Sequence, residues 1–312
     1  MLLFPQCPIA VRLSMETIKL DGQDYGYVVD FKNDDRLRKS FNSLTKKVYG
    51  FDFEGWHTSG HWGDRYRPYS LLEGDHIVSN ISVNVIDFLV KGEKRTYIQI
   101  GTVMTDPEHR NQGLSKLLLE KVLGEWRGKC DLIYLFANNS VLNFYPKFGF
   151  SRIQEYQYSK ETNLRVSQSE VTKLNMLDNQ SKELLFNKVN QSAPFSQLSM
   201  IDNASLVMFC YSAIQDDNVY YINELDAVVV ADFEQDTLYL KDVFCETEVP
   251  LDKVISALAS KETRKVVLGF TPNDKGSFDE NVLIPVDALF ILDDRRGSFD
   301  NEKLQFPVLS HA

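Results

Sequence analysis

Between Tyr97 and Phe150 the sequence alternates strand, helix and strand so closely that few topologies can hold it. Thr96–Thr105 reads as a strand. Asn111 to Trp126 reads as a helix with Leu114, Leu117, Leu118, Val122 and Trp126 on one face, and Leu132–Ala137 as a short buried strand. Two strands of one sheet joined through a single helix run parallel, and the twist of the strands makes the crossover right-handed. The first strand leaves through Asp106-Pro107, and the helix begins within Arg110-Asn111-Gln112-Gly113-Leu114-Ser115. Backbone N–H groups at a helix start, reinforced by the helix dipole, form an anion site. Gly113 lets a phosphate approach the backbone closely; Ser115 offers a hydroxyl and Arg110 a fixed charge. On these residues alone, a pyrophosphate cradle and a plain strand-to-helix turn both stay open.

The flanking sequence extends the pattern. Asp34 to Val48 is expected to be a helix with Leu37, Phe41, Leu44 and Val48 on its apolar face. Strands follow at Tyr69–Leu72 and Ile77–Val90, separated by Glu73-Gly74-Asp75. In the longer one Asn80, Ser82 and Asn84 alternate with Ile81, Val83 and Val85, and a phase slip at Val85-Ile86 suggests a bulge. Asn139–Lys147 reads as a helix stopped by Gly149, and Phe150–Tyr158 as a closing strand. The second half repeats the order more faintly: helices around Leu185 and over Ala204–Ile214, and strands at Val219–Ile222, Ala227–Phe233 and Leu238–Phe244. A helix carrying Leu251, Val254, Ile255 and Leu258 and a strand at Val266–Thr271 complete it. The expected organisation is a disordered extension over 1–15, a first domain over 16–160, a polar linker over 161–170 and a second domain over 171–312, a degenerate duplicate of the first.

Charge separates the halves. Residues 1–160 hold 21 Lys and Arg against 19 Asp and Glu, whereas residues 161–312 hold 13 against 25. A nucleic-acid partner would require a basic face, so none is expected. The acidic half either simply solvates its own surface or draws cationic amines toward the first half. No apolar run is long enough to span a bilayer, and no membrane partner is expected. Cys7, Cys130, Cys210 and Cys245 form no CxxC pair, which points to free thiols in a reducing cytoplasm rather than to zinc or disulfides.

Arg110-x-x-Gly113-x-Ser115 after a strand resembles the coenzyme-binding motif of the GNAT superfamily of acyl-CoA N-acyltransferases. One strand later Asn138, then Tyr145-x-Lys147-x-Gly149-Phe150, resembles that family's second signature at the same spacing. The resemblance covers roughly Asp34 to Tyr158. It implies an α+β fold, a mixed, mostly antiparallel twisted sheet with one parallel βαβ unit, and acetyl-CoA as co-substrate in a V between the parallel strands. It further implies that main-chain groups of Val103 and Met104 meet the pantetheine arm and the thioester carbonyl, and that backbone N–H groups of Arg110, Asn111, Gln112, Gly113, Leu114 and Ser115 hold the pyrophosphate. Asn138 would bond the pantetheine and Tyr145 would protonate the departing thiolate. Gln99 stands where some members place a basic Glu, and glutamine cannot accept that proton; Asp87, or water beside Asn80, Ser82 and Asn84, is the alternative.

The acceptor is expected to be a primary amine on a small molecule or peptide. Trp56, His57, His61, Trp62, Asp64 and Tyr66 lie on the segment that builds the acceptor pocket in such folds, so Trp56, His57, Trp62, Asn84 and Gln99 are its candidate residues. The same aromatic segment could equally be a loop pinned to the sheet by its two tryptophans. His57 and His61 have no evident third ligand, and no metal is expected. In the second half CETEVPLDKV, with Glu246 and Glu248, stands where the phosphate loop would be and would repel a pyrophosphate. The expected function is therefore N-acetyl transfer, with a non-catalytic acyl-CoA-binding or interaction module as the alternative; a homodimer is left open.

Overall fold

The computed structural model describes residues 15–162, 169–211, 218–292, 299 and 302–311. The expected extension over 1–15 and linker over 161–170 therefore fall largely outside the described residues. The chain opens with a hairpin, β1 (Glu16–Leu20) and β2 (Gln23–Val29), followed by helices α1 (Asp35–Tyr49) and α2 (Glu54–Thr58). Asp34 caps α1 by accepting the N–H groups of Arg36 and Leu37, and Gly50 ends it in the left-handed region (φ 85°). Strands β3 (Tyr66–Glu73), β4 (His76–Val90) and β5 (Glu93–Thr105) form a meander, and α3 (Leu114–Trp126) carries the chain over to β6 (Leu132–Ala137). β5 and β6 pair in parallel, from Tyr97↔Leu132 to Ile100↔Leu135. Leu114, Leu118, Leu119 and Val122 bury the inner face of α3 against this sheet.

Beyond β6 the chain departs from the sequence reading. Asn139–Lys147 is not a helix: only a single 3₁₀ turn forms, at Tyr145–Phe148. Pro146 can donate no backbone hydrogen bond, and Asn138 instead accepts from Ser140 N (3.0 Å) and Oγ (2.6 Å) to close a tight turn. Nor is Phe150–Tyr158 one strand. It breaks into β7 (Phe150–Arg152) and β8 (Tyr156–Glu161), and the two belong to different sheets.

The rest of the chain supplies β9 (Val171–Lys173), α4 (Asn179–Gln191), β10 (Leu198–Ile201), α5 (Ala204–Phe209), β11 (Val219–Ile222), β12 (Ala227–Glu234), β13 (Thr237–Phe244), α6 (Leu251–Leu258), β14 (Lys265–Leu268), β15 (Asp279–Val282) and β16 (Ala288–Leu292). The first sheet runs β1-β2-β3-β4-β5-β6-β16-β7, with β10 on the stretch of β4 beyond the reach of β3; the second runs β15-β8-β14-β13-β12-β11-β9. Each contains a parallel pair bridged by a helix, β5/β6 over α3 and β13/β14 over α6. Each also takes strands from the other half: the first sheet takes β10 and β16, and the second takes β8. β16 sits antiparallel between β6 and β7 (Phe290 opposite Leu135 and Arg152), while β8 sits between β14 and β15.

At the crossing point Glu155 is 2% exposed and accepts Phe306 N at 2.9 Å. Burial, partly offset by that hydrogen bond, pushes its carboxyl up to about 7. The folded state then holds a proton that the unfolded chain has released, so stability falls as pH rises from the ordinary glutamate range toward 7 and stays lowered above it. Glu155→Gln keeps an acceptor for Phe306 and is expected to stabilise the protein by about 2–3 kcal/mol at pH 8. Thermal melts at pH 5 and pH 8 check this: the gain should appear at pH 8 and nearly vanish at pH 5.

Candidate active site

The parallel pair opens where its pairing ends. After Ile100↔Leu135, β5 continues to Thr105 and β6 to Ala137 without bonding each other. A bulge drives them apart: β4 loses register with β5 between Asn80 and Ser82, and Thr102 there takes a left-handed φ of 46°. The expected bulge at Val85-Ile86 does not form, since β4 and β5 pair without interruption from Ser82↔Gly101 to Val90↔Glu93. Both faces of β4 are buried there, so an apolar residue at either phase finds cover. Side chains fasten the true bulge: Asn80 donates to Thr102 O (2.9 Å), Tyr49 to Val103 O (2.7 Å), and the Tyr66 and Thr102 hydroxyls meet at 2.8 Å.

The gap is a cleft of about 1020 Å³. One wall is Gly101 to Thr105, including Val103 and Met104; the other is Phe136 to Asn138 with Tyr145. Its end is the loop before α3, represented by Arg110, Asn111, Gly113, Leu114 and Ser115. Two left-handed residues, Asn111 (φ 63°) and Gly113 (φ 82°), shape that loop, and Gly113 caps α3 without any side chain taking its first N–H groups. The residues that carry those donors line the cleft end, an arrangement suited to a pyrophosphate. Ser115 Oγ meets Thr105 Oγ1 at 2.7 Å, and Arg110 Nε reaches Thr105 O at 3.4 Å, tying the loop to β5. Gly113→Glu would force a side chain into left-handed backbone and add a negative charge beside the donors. CoA affinity measured by calorimetry should fall at least about 100-fold.

Tyr145 is 4% exposed, and its ring meets Phe144 at 5.1 Å and Phe150 and Phe290 each at 6.0 Å. Phe290 lies on β16, so the exchanged strand helps hold this ring. Burial pushes the phenol well above its ordinary pKa, which keeps the hydroxyl protonated and able to donate.

Several of the residues named from the sequence lie away from the cleft wall. The Gln112 side chain turns outward to accept from Tyr25 (3.2 Å). Asn84 and Gln99 are register partners on β4 and β5, buried at 3% and 1%. Gln99 is also opposite Tyr134 of β6, whose ring stacks on Phe306 at 4.2 Å, so this row lies beneath the C-terminal segment. Trp56 donates to Ser205 O (2.8 Å) and Trp62 to Tyr66 O (3.3 Å), which pins both indoles into an aromatic cluster with Phe41, Phe53, Tyr66 and Phe209. His57 sits on α2 with its ring beside Trp62 (6.1 Å) and Nδ1 buried; burial lowers its pKa, and Arg38 adds to this. Asp87 is equally remote. Burial opposes its ionisation, but Thr96 (2.7 Å), Arg65 (3.0 Å) and Lys94 (3.1 Å) outweigh that and hold it below the usual carboxylate range.

Sequence reasoning missed Tyr49, Phe51, Phe209, Asp287 and His311, which all line the cleft. His311 lies flat on Phe136 at 3.8 Å. Phe209, Asp287 and His311 come from the second half and carry no local motif; only the tertiary fold brings them here. In that half's own βαβ unit, Glu246 stands after β13 and pairs with Lys188 at 3.0 Å. Among the described residues, no three His, Cys, Asp or Glu side chains cluster as a metal site, and no helix is long and apolar enough to cross a membrane.

A splayed parallel pair, a bulged strand and an open helix start converging on one cleft define an acyltransferase-type fold. Residues 36–153 match the acetyltransferase (GNAT) domain by sequence, so the chain carries a GNAT domain there. A probable N-acyltransferase from Enterococcus faecalis V583 superposes with a TM-score of 0.53 at 16% identity, over 85% of this chain and 72% of that one. A GCN5-related N-acetyltransferase from Kribbella flavida gives 0.54 at 16%, over 86% and 71%. Eis1 from Mycobacterium abscessus gives 0.52 at 13%, over 84% and 73%. At these identities the likeness is one of fold, and it extends across both halves. No curated protein matches by sequence.

Proposed function

We propose that the protein transfers an acyl group, acetyl or a short homologue, from acyl-CoA to a primary amine bound with it in the same cleft. The observation that carries this reading is the meeting of bulge, open helix start and Tyr145 around one space. The helix-start donors would hold the pyrophosphate, and Asn138 would meet the pantetheine arm. The backbone beside Thr102 and Val103, left without strand partners by the bulge, would polarise the thioester carbonyl.

The neutral amine nitrogen bonds to the carbonyl carbon, the carbon–sulfur bond breaks, and the thiolate takes the Tyr145 proton. The nitrogen releases its own proton to solvent in the cleft, which His311 and Asp287 also line. Asp287, together with the acidic balance of the second half, favours a cationic acceptor.

Incubation with acetyl-CoA and a panel of polyamines, aminoglycosides, amino acids and peptides, read by thiol release, tests this. Turnover with at least one amine is expected. Tight CoA binding with no turnover across the panel would favour a non-catalytic acyl-CoA-binding module.

A further inference from the structure

We propose that a small aromatic cavity behind the β5 bulge is an acyl-chain pocket that accepts propionyl and butyryl groups and selects the donor by chain length. This rests on the acyl-transfer reading above. The cavity measures about 40 Å³ and is walled by the rings of Phe51, Phe53, Trp56, Tyr66 and Phe209. Thr102, the bulge residue, closes it on the side of the cleft, and Phe51 and Phe209 line both spaces. A thioester carbonyl polarised at the bulge would therefore point its acyl carbons toward this cavity.

The wall excludes the other candidate occupants. Its polar atoms are already engaged: the Trp56 indole donates to Ser205 O at 2.8 Å, and the Tyr66 hydroxyl meets Thr102 Oγ1 at 2.8 Å. Water needs two to four polar partners in such a space and would find few. None of the lining residues is a carboxylate, so an ammonium group would be buried without a counter-ion. An apolar chain meets none of these costs. One water-sized group takes roughly 10–15 Å³ of such a cavity, so about three heavy atoms fit. Acetyl offers one carbon beyond the carbonyl, propionyl two and butyryl three.

Leu206 and Phe209 reach the pocket from α5 of the second half, so that half would set donor specificity although Glu246 stands at its own phosphate-loop position.

Calorimetric titration of the full chain with CoA and with acetyl-, propionyl-, butyryl- and hexanoyl-CoA, without any amine, tests the pocket. Affinity should rise about fourfold per added carbon from acetyl to butyryl and fall at hexanoyl. Leu206→Phe, which fills the space, should flatten that series while leaving free CoA bound within about twofold. Phe209→Leu, which opens it, should move the optimum to longer chains. A flat series in the unaltered protein, or one indifferent to both substitutions, overturns the proposal. Failure of CoA itself to bind would overturn the acyl-transfer reading, and the pocket with it.

Discussion

Tyr145→Phe will lower turnover by about 10²-fold or more while leaving the dissociation constant for CoA within about twofold. The substitution removes one hydroxyl and keeps the ring that packs on Phe144, Phe150 and Phe290, so neither the fold nor the cleft wall should shift. On the acyl-transfer reading, what is lost is a proton held for the leaving sulfur. A thiolate with a conjugate-acid pKa of ~8.5 leaves poorly until a donor reaches it. Because burial holds the phenol well above its ordinary range, Tyr145 stays protonated and should impose no alkaline limb on turnover below about pH 10. Single-turnover rates measured beside CoA binding separate the chemical role from a packing role. A thioester of a more acidic thiol should be less sensitive to the substitution, since its sulfur needs less help. An unchanged rate would remove Tyr145 from the mechanism.

A chain cut after Thr162 will fail to fold as a compact monomer, although it retains the whole segment matched by the GNAT domain. Such a piece loses β16, leaving β6 and β7 without the strand between them. It also uncovers Tyr134 and Phe136, which are otherwise packed with Phe306, and takes Phe290 away from Tyr145. Unpaired edges with exposed aromatics lead to aggregation. The complementary piece, residues 163–312, lacks β8 and leaves β14 and β15 apart. Co-expressing the two pieces should restore a soluble complex that binds CoA, and size exclusion with near-ultraviolet circular dichroism would report it. A cooperatively folded, CoA-binding 15–162 piece would show that the exchanged strand is dispensable.

How far the sequence speaks depends on whether a signal is local. The β5–α3–β6 unit is written in consecutive residues: a strand, a turn with Gly113, an apolar helix stripe and a second strand. Its parallel pairing followed from connectivity alone. The place of Tyr145 and Asn138 on the cleft wall was legible because a motif fixes their spacing, even though the helix expected around them is only a turn, interrupted by Pro146. Strand exchange was not legible. Ala288–Leu292 is apolar enough to be a buried strand in either sheet, and nothing in those five residues names β6 as a partner about 150 positions earlier. The acceptor-loop candidates show a different limit. Trp56 and Trp62 read as binding residues because tryptophans are concentrated there, yet their indoles are engaged by Ser205 and Tyr66 carbonyls. Side-chain type announced a special environment without saying whether it was a wall or a mouth.

The exchange of β8 and β16 also sets a clock on synthesis. The first sheet cannot close until Leu292 has left the ribosome, some 140 residues after β7. At 5–20 residues per second that interval lasts roughly 7–28 s, during which the GNAT segment emerges with an open seam. Most multidomain chains fold their first domain while the second is still being made. Here the two halves are expected to complete together once Leu292 has emerged, so that CoA binding appears as a single event after β16 is made rather than when the GNAT segment alone is out.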